Sequence, residues 1–179
     1  MLSLSWSPSY CAIEGADANR QQCGAEPAHG FVVHGLWPQN ESGWPEFCPL
    51  DEADRFVPDD LGRDYLDIMP SMGLIGHQWR KHGSCSGLDQ RGYLEATRAA
   101  WEAMAIPEMA TGRVDPAEVE AAFVAANDGL PEDGIAIACA DGHVTEARIC
   151  MTTDLAFRAC PEVDARACRA SSLSMPAPR

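Results

Sequence analysis

The chain has 179 residues, 46% of them hydrophobic, and its 27 acidic and 13 basic residues give a formal net charge of −14. That length suits one domain with a sizeable core. The charge disfavours a protein that grips nucleic acid through a broad basic surface, since such affinity comes from many phosphate contacts, but it leaves room for an enzyme that holds one phosphate locally. There is no run of about 18 apolar residues, and the opening MLSLSWSPSYC has neither a basic stretch nor an apolar stretch of about 7 to 15 residues, so neither a membrane span nor a signal peptide is expected. Eight cysteines (Cys11, Cys23, Cys48, Cys85, Cys139, Cys150, Cys160, Cys168) form an even, scattered set. No two have the close spacing of a zinc knuckle, so disulfides in an exported protein, secreted or periplasmic, are expected over structural zinc. Their order alone does not select the pairs.

No internal repeat or Gly/Ser linker divides the sequence, so one domain is expected over 1–179, with a frayed tail, SSLSMPAPR, from about residue 170. MLSLSW (1–6) alternates as a strand does and stops at Ser7-Pro8. FVVHGLWP (31–38) is β-branched and aromatic, then broken by Gly35 and Pro38; Val32 and His34 share one face, Phe31 and Val33 the other. Helical patterns follow in DDLGRDYLDIM (59–69), GLIGHQWRKHG (73–83), LDQRGYLEATRAAWEAM (88–104) and VDPAEVEAAFVAAN (114–127), the last with Asp115 as N-cap, Pro116 at the first position and Glu118 at the third. Strands return in GIAIACADG (134–142) and HVTEARICMTT (143–153), with a turn near Asp141-Gly142. Strands, then helices, then strands predict an α+β fold, an antiparallel sheet flanked by several helices.

The chemistry concentrates in IGHQWRKHGSC (75–85). At about 100° per residue, with His77 at 0°, Lys81 falls near roughly 40°, Gln78 near 100° and His82 near 140°, so all four line one face. Trp79 and Arg80 point elsewhere, the tryptophan into packing. A solvated charged face is the bland alternative. A zinc site is disfavoured because H-E-x-x-H sites space their histidines at i and i+4; here the spacing is i and i+5, with Lys81 between. An ammonium repels a metal and attracts an anion, so the arrangement suits a phosphate. His34, at a strand end, supplies a third imidazole, and Trp37 offers a flat surface on which a base can stack.

FVVHGLWPQ and GHQWRKHGSC resemble the two active-site segments of the ribonuclease T2 family, the HGLWP-type acid endoribonucleases, and LSWSPSYC is similar to that family's first strand and first cysteine. The resemblance covers most of the chain. It implies an α+β fold and cleavage of single-stranded RNA through a 2′,3′-cyclic phosphate, with no cofactor and no metal. By position, His82 takes the 2′-hydroxyl proton and His34 protonates the leaving 5′-oxygen, while His77 holds the phosphate and Lys81 stabilises its non-bridging oxygens. Trp37 matches the base-contacting aromatic, with Trp44 and Gln39 as further base-pocket candidates. The resemblance pairs Cys48 with Cys85; Cys11–Cys23, Cys139–Cys168 and Cys150–Cys160 complete the expected set. The expected partner is RNA substrate, acted on by a monomer without membrane attachment.

One position departs from the family's H-E-W-x-K-H-G pattern: Gln78 stands where glutamate is common. The amide nearly preserves shape but removes a negative charge, which should lower the pKa of neighbouring histidines and remove a repulsion with phosphate. Modified activity is expected, not loss. Two rival readings are a non-catalytic member of the fold that binds RNA or a protein, and a secreted metalloprotein. Retention of His34, His77, Lys81 and His82 argues against the first, and the cysteine spacing and Lys81 against the second.

Overall fold

The computed structural model describes residues 1–179. Strand β1 (Leu2–Trp6) follows the alternation read from MLSLSW: Leu2, Leu4 and Trp6 enter the core, while Ser3 and Ser5 form the other face. Ser7-Pro8 ends the strand by starting a helix, α1 (Ser7–Glu14), with proline in its first turn, where a missing N–H costs nothing. A short α2 (Arg20–Cys23), capped by Asn19 Oδ1, leads to β2 (Phe31–Leu36). Helices α3 (Asp59–Arg63), α4 (Met72–Lys81) and α5 (Gln90–Glu102) come next, then β3 (Gly112–Val114) and α6 (Pro116–Ala126). The chain closes with β4 (Ile135–Ala140), β5 (His143–Ile149), α7 (Pro161–Asp164) and β6 (Leu173–Met175). No helix is long and apolar enough to cross a membrane.

The expected helix over 59–69 is shorter than its pattern suggests. After Arg63 the chain winds through tighter i→i+3 turns to Met69, and the carbonyl of Ile68 is taken by the Val33 N–H at 2.8 Å instead of continuing a helix. Gly62 lies inside α3, where a Cβ would meet Met72 Cε at 2.5 Å; close packing and weak helix propensity coincide there. Asp115 caps α6 as read, its Oδ1 accepting from Ala117 N–H at 2.9 Å. The turn at Asp141-Gly142 joins β4 to β5 with both φ angles positive, 48° and 75°, the pair of left-handed residues that a tight hairpin requires.

The six strands form one sheet in the order β2-β1-β5-β6-β3, with β4 on the other side of β5. All pairings are antiparallel except β5 with β6, which meet in parallel at His143 and Ser174, so the expectation of an antiparallel sheet needs that one correction. The frayed-tail expectation also fails for its middle. Leu173 and Met175 are buried in β6, which pairs with β3, and the Trp6 indole N–H donates to Pro176 O at 2.9 Å. The pattern of two apolar residues two apart was too short to read as a strand. One continuous core joins Leu2, Leu4 and Ile149 of the sheet to Ile75, Leu94 and Phe123 of the helices. The opposite face of β1 is left polar, and the site is built over it.

Candidate active site

His34 reaches the polar face through an irregularity in β2. Leu4 pairs with Val33 and Ser3 with Gly35, so His34 is the extra residue of a bulge, a device that re-aims a side chain. Its Nδ1 shares a short hydrogen bond with Glu146 Oε1 on β5. Strands β2 and β5 are not neighbours; β1 lies between them, about 10 Å being two strand spacings. The contact is made over β1 because that strand presents only Ser3 and Ser5 beneath it, opposite Arg148 and Glu146 respectively. The second carboxylate oxygen of Glu146 accepts from Arg148 Nε at 2.8 Å and lies 2.7 Å from Nη2. Burial pushes the Glu146 carboxyl upward, but the His34 hydrogen bond and the charges of His34 and Arg148 outweigh it and lower its pKa to about 2. An ionised carboxylate can only accept, so His34 Nδ1–H donates, and Nε2 is the ring nitrogen without a protein partner.

Helix α4 supplies the other half. Ser71 Oγ caps it by accepting from Leu74 N–H at 3.3 Å, and it places His77, Gln78 and Lys81 on one side, with His82 at its C-cap. Trp79 points the other way into the core, its indole N–H donating to Asp54 O at 2.7 Å, as the helical geometry predicts. Gln78 is only 1% exposed, and its Oε1 accepts the Trp37 indole N–H at 2.7 Å. Gly35 packs against that hydrogen bond: a Cβ there would lie 2.1 Å from Gln78 Oε1 and 2.6 Å from Trp37 Nε1. The HGLW segment and α4 are thereby locked face to face.

Trp37 stands between the two proton-transfer candidates. His82 stacks on its ring, centroids 4.9 Å apart and planes at 23°, whereas His34 meets it edge-on at 5.2 Å and 74°. His82 is buried and its Nδ1 has no hydrogen-bond partner. Burial above all, then the charges of Lys81, His34 and His77, lowers its pKa to about 4. His77 is also lowered, by burial first and then by Lys81, Arg80 and His34. Lys81 Nζ lies 3.6 Å from a Glu46 carboxylate oxygen. The two histidines thus differ: one is paired with an ionised carboxylate, the other kept neutral by burial.

All eight site residues expected from the sequence (His34, Trp37, Gln39, Trp44, His77, Gln78, Lys81, His82) line one cavity of about 290 Å³. Trp44 is 46% exposed, with the Arg166 guanidinium 4.9 Å from its ring centroid. Gln39 is exposed and turns its amide to Pro38 O at 2.9 Å. Four further residues were not foreseen: Glu146, Arg148, Arg166 and Glu162. Glu162 accepts from Gly43 N–H at 3.0 Å and pairs with Arg166 at 2.5 Å, closing the Trp44 loop. The available signal for the first two was Glu146 and Arg148 at i and i+2 in a predicted strand, both on one face. All four expected disulfides form. Cys48–Cys85 ties the Trp44 loop to the end of α4, while Cys139–Cys168 and Cys150–Cys160 bracket the segment carrying Glu162 and Arg166. No group of three or more His, Cys, Asp or Glu side chains is placed to hold a metal ion.

Comparison with known proteins agrees with this architecture. The model of the Ribonuclease T2 family matches residues 1–160. A ribonuclease of Aeromonas hydrophila is 42% identical over 92 residues, 51% of this chain and 39% of that protein, so the chain spans less than half the length of this relative. Among solved structures, an RNase-related protein from Calystegia sepium superposes with a TM-score of 0.74 at 20% identity, covering 99% of this chain and 96% of that one, a likeness of fold. RNase NT in complex with 5′-AMP superposes with a TM-score of 0.65 at 25% identity, covering 98% and 96%.

Proposed function

The chain belongs to the ribonuclease T2 family, and from that premise we propose that it is a metal-independent endoribonuclease cleaving single-stranded RNA by transphosphorylation. The observation that carries the reading is the pair of unlike histidines on either side of Trp37. Two groups whose surroundings differ in this way sort into base and acid. His82, neutral above about pH 4, accepts the 2′-hydroxyl proton as that oxygen attacks phosphorus. The bond from phosphorus to the 5′-oxygen breaks, and His34 delivers a proton to the leaving oxygen while Glu146 balances the charge of the ring before transfer. The products are a 2′,3′-cyclic phosphate and a 5′-hydroxyl. Lys81 and His77 hold the non-bridging oxygens, and Trp37 with Trp44 offers stacking surface to a base.

RNA carries its own nucleophile, so a base, an acid and a cation suffice. Nucleotide binding in this fold is supported by the 5′-AMP complex of RNase NT. Four disulfides support an oxidising, exported location, periplasmic or secreted. The test is incubation with single-stranded RNA in EDTA at pH 5 and pH 7.5, with end-group analysis. Cyclic-phosphate and 5′-hydroxyl ends are expected, faster at pH 5, and His34→Ala or His82→Ala should each slow cleavage by about 10² to 10⁴-fold. Absence of cyclic-phosphate ends, or dependence on a metal, refutes the reading.

A further inference from the structure

The cavity of about 290 Å³ adjoins a larger one of about 630 Å³, which runs past Tyr10, Asn19 and Ser71. Three side chains border both: His34, Glu146 and Arg148. Any ligand extending from one cavity into the other must cross them.

Arg148 is held on two sides and open on a third. Its Nε and Nη2 engage a single oxygen of Glu146, at 2.8 and 2.7 Å, and the guanidinium carbon sits 5.6 Å from the Trp37 ring centroid. Nη1 has no protein partner, and the side chain is 33% exposed. Of the other cations lining the smaller cavity, Lys81 lies 3.6 Å from Glu46 and Arg166 is paired with Glu162 at 2.5 Å. A planar guanidinium with its orientation already fixed loses little entropy when its free edge takes an anion, and its fork matches a phosphate. In a chain with a net charge of −14, such an open donor edge at the junction is the feature suited to a polyanion passing through.

We propose that Arg148 binds a phosphodiester of the RNA strand at the junction of the two cavities, as a phosphate-binding residue additional to Lys81. The proposal rests on the ribonuclease reading for the identity of the strand. Its chemistry requires only an anionic linkage flanked by two nucleosides.

The probe is a short 2′-deoxyoligonucleotide, which has enough phosphodiesters to fill the Lys81 position and the junction together but lacks the nucleophile and so binds uncleaved. Calorimetric titration over a salt series should show Arg148→Gln binding it ~10-fold more weakly, with the slope of log affinity against log salt shallower by about 0.7. Because the Arg148 charge also helps to lower the Glu146 pKa, a displacement of the pH limits of RNA cleavage is expected to accompany the loss of affinity in this variant. Wild-type affinity and slope in Arg148→Gln overturn the proposal. So does a shift of the pH profile matching that of Glu146→Gln without loss of affinity, since Arg148 would then serve only to hold Glu146. Should Arg148→Gln not fold, the Arg148 Nε–H resonance of the wild-type protein decides: it moves on titration with the oligonucleotide, or the proposal fails. Wild-type protein that leaves RNA intact defeats the ribonuclease reading, while the oligonucleotide titration still decides on Arg148.

Discussion

Gln78 holds the Trp37 indole through its carbonyl oxygen, a task glutamate would perform equally well, so the glutamine changes charge and leaves the geometry intact. Without a carboxylate there, His82 is depressed to about 4 by burial and by the cations around it. Gln78→Glu is expected to keep the Trp37 hydrogen bond while favouring the charged imidazole. Its acid limb of kcat/KM should therefore lie at higher pH than the wild-type limb near about pH 4, as pH-rate profiles of both proteins would show. No displacement of either limb would rule out an electrostatic role for this position. The eight residues singled out in the sequence were legible because local motifs and one helical face carry them. Glu146 and Arg148 were not: two opposite charges at i and i+2 in a strand read as a solvated edge. Only the pairing of β5 with β1, 141 residues away in sequence at Ser5 and Glu146, reveals that they face His34.

At the scale of elements, the site depends on close approach between β2 and α4. Gly35 makes this possible, since its missing side chain is the space that Gln78 Oε1 and Trp37 Nε1 occupy. Gly35→Ala is expected to force the two apart, costing about 1 to 3 kcal/mol of stability as overpacking does. It should also slow cleavage by on the order of 10²-fold through misplacement of reacting groups. Denaturant unfolding and initial rates measured on the same preparation check both; a stable variant with wild-type rate refutes the packing argument. The strand at 31–36 was readable, yet its bulge was not, because an extra residue shows itself only against a partner strand. Likewise α1 was missed because Ser7-Pro8 reads equally as a strand terminator and as a helix start.

Across the whole molecule, two buried groups contribute to the response to acid. His82 has a folded pKa of about 4 against an ordinary 6.5, so its contribution is complete above about pH 6.5 and is lost as pH falls toward 4. Glu146, at about 2 against 4.5, contributes above about pH 4.5 and loses that contribution as pH falls toward 2. Urea midpoints should therefore decline from pH 7 to pH 4 and again below about pH 4.5, with His82→Asn flattening the first decline. A first decline unchanged in that variant would assign it to other groups. The four disulfides oppose this loss from outside the site, each crosslink of this kind being worth about 2 to 4 kcal/mol.

The position of β1 in the sheet has a consequence in time as well as in space. Of the six strands of the sheet it is made first, and it waits between two neighbours: β2, about thirty residues later, and β5, which comes only after residue 142. Non-local pairing of this kind closes late in folding. A nascent chain holding residues 1–130 therefore contains His34, Trp37 and all of α4, but nothing to orient the His34 ring and no guanidinium beside Trp37. The His34 ring is set in place by Glu146 of β5, so the assembled site should emerge only once the residues beyond 142 have been made.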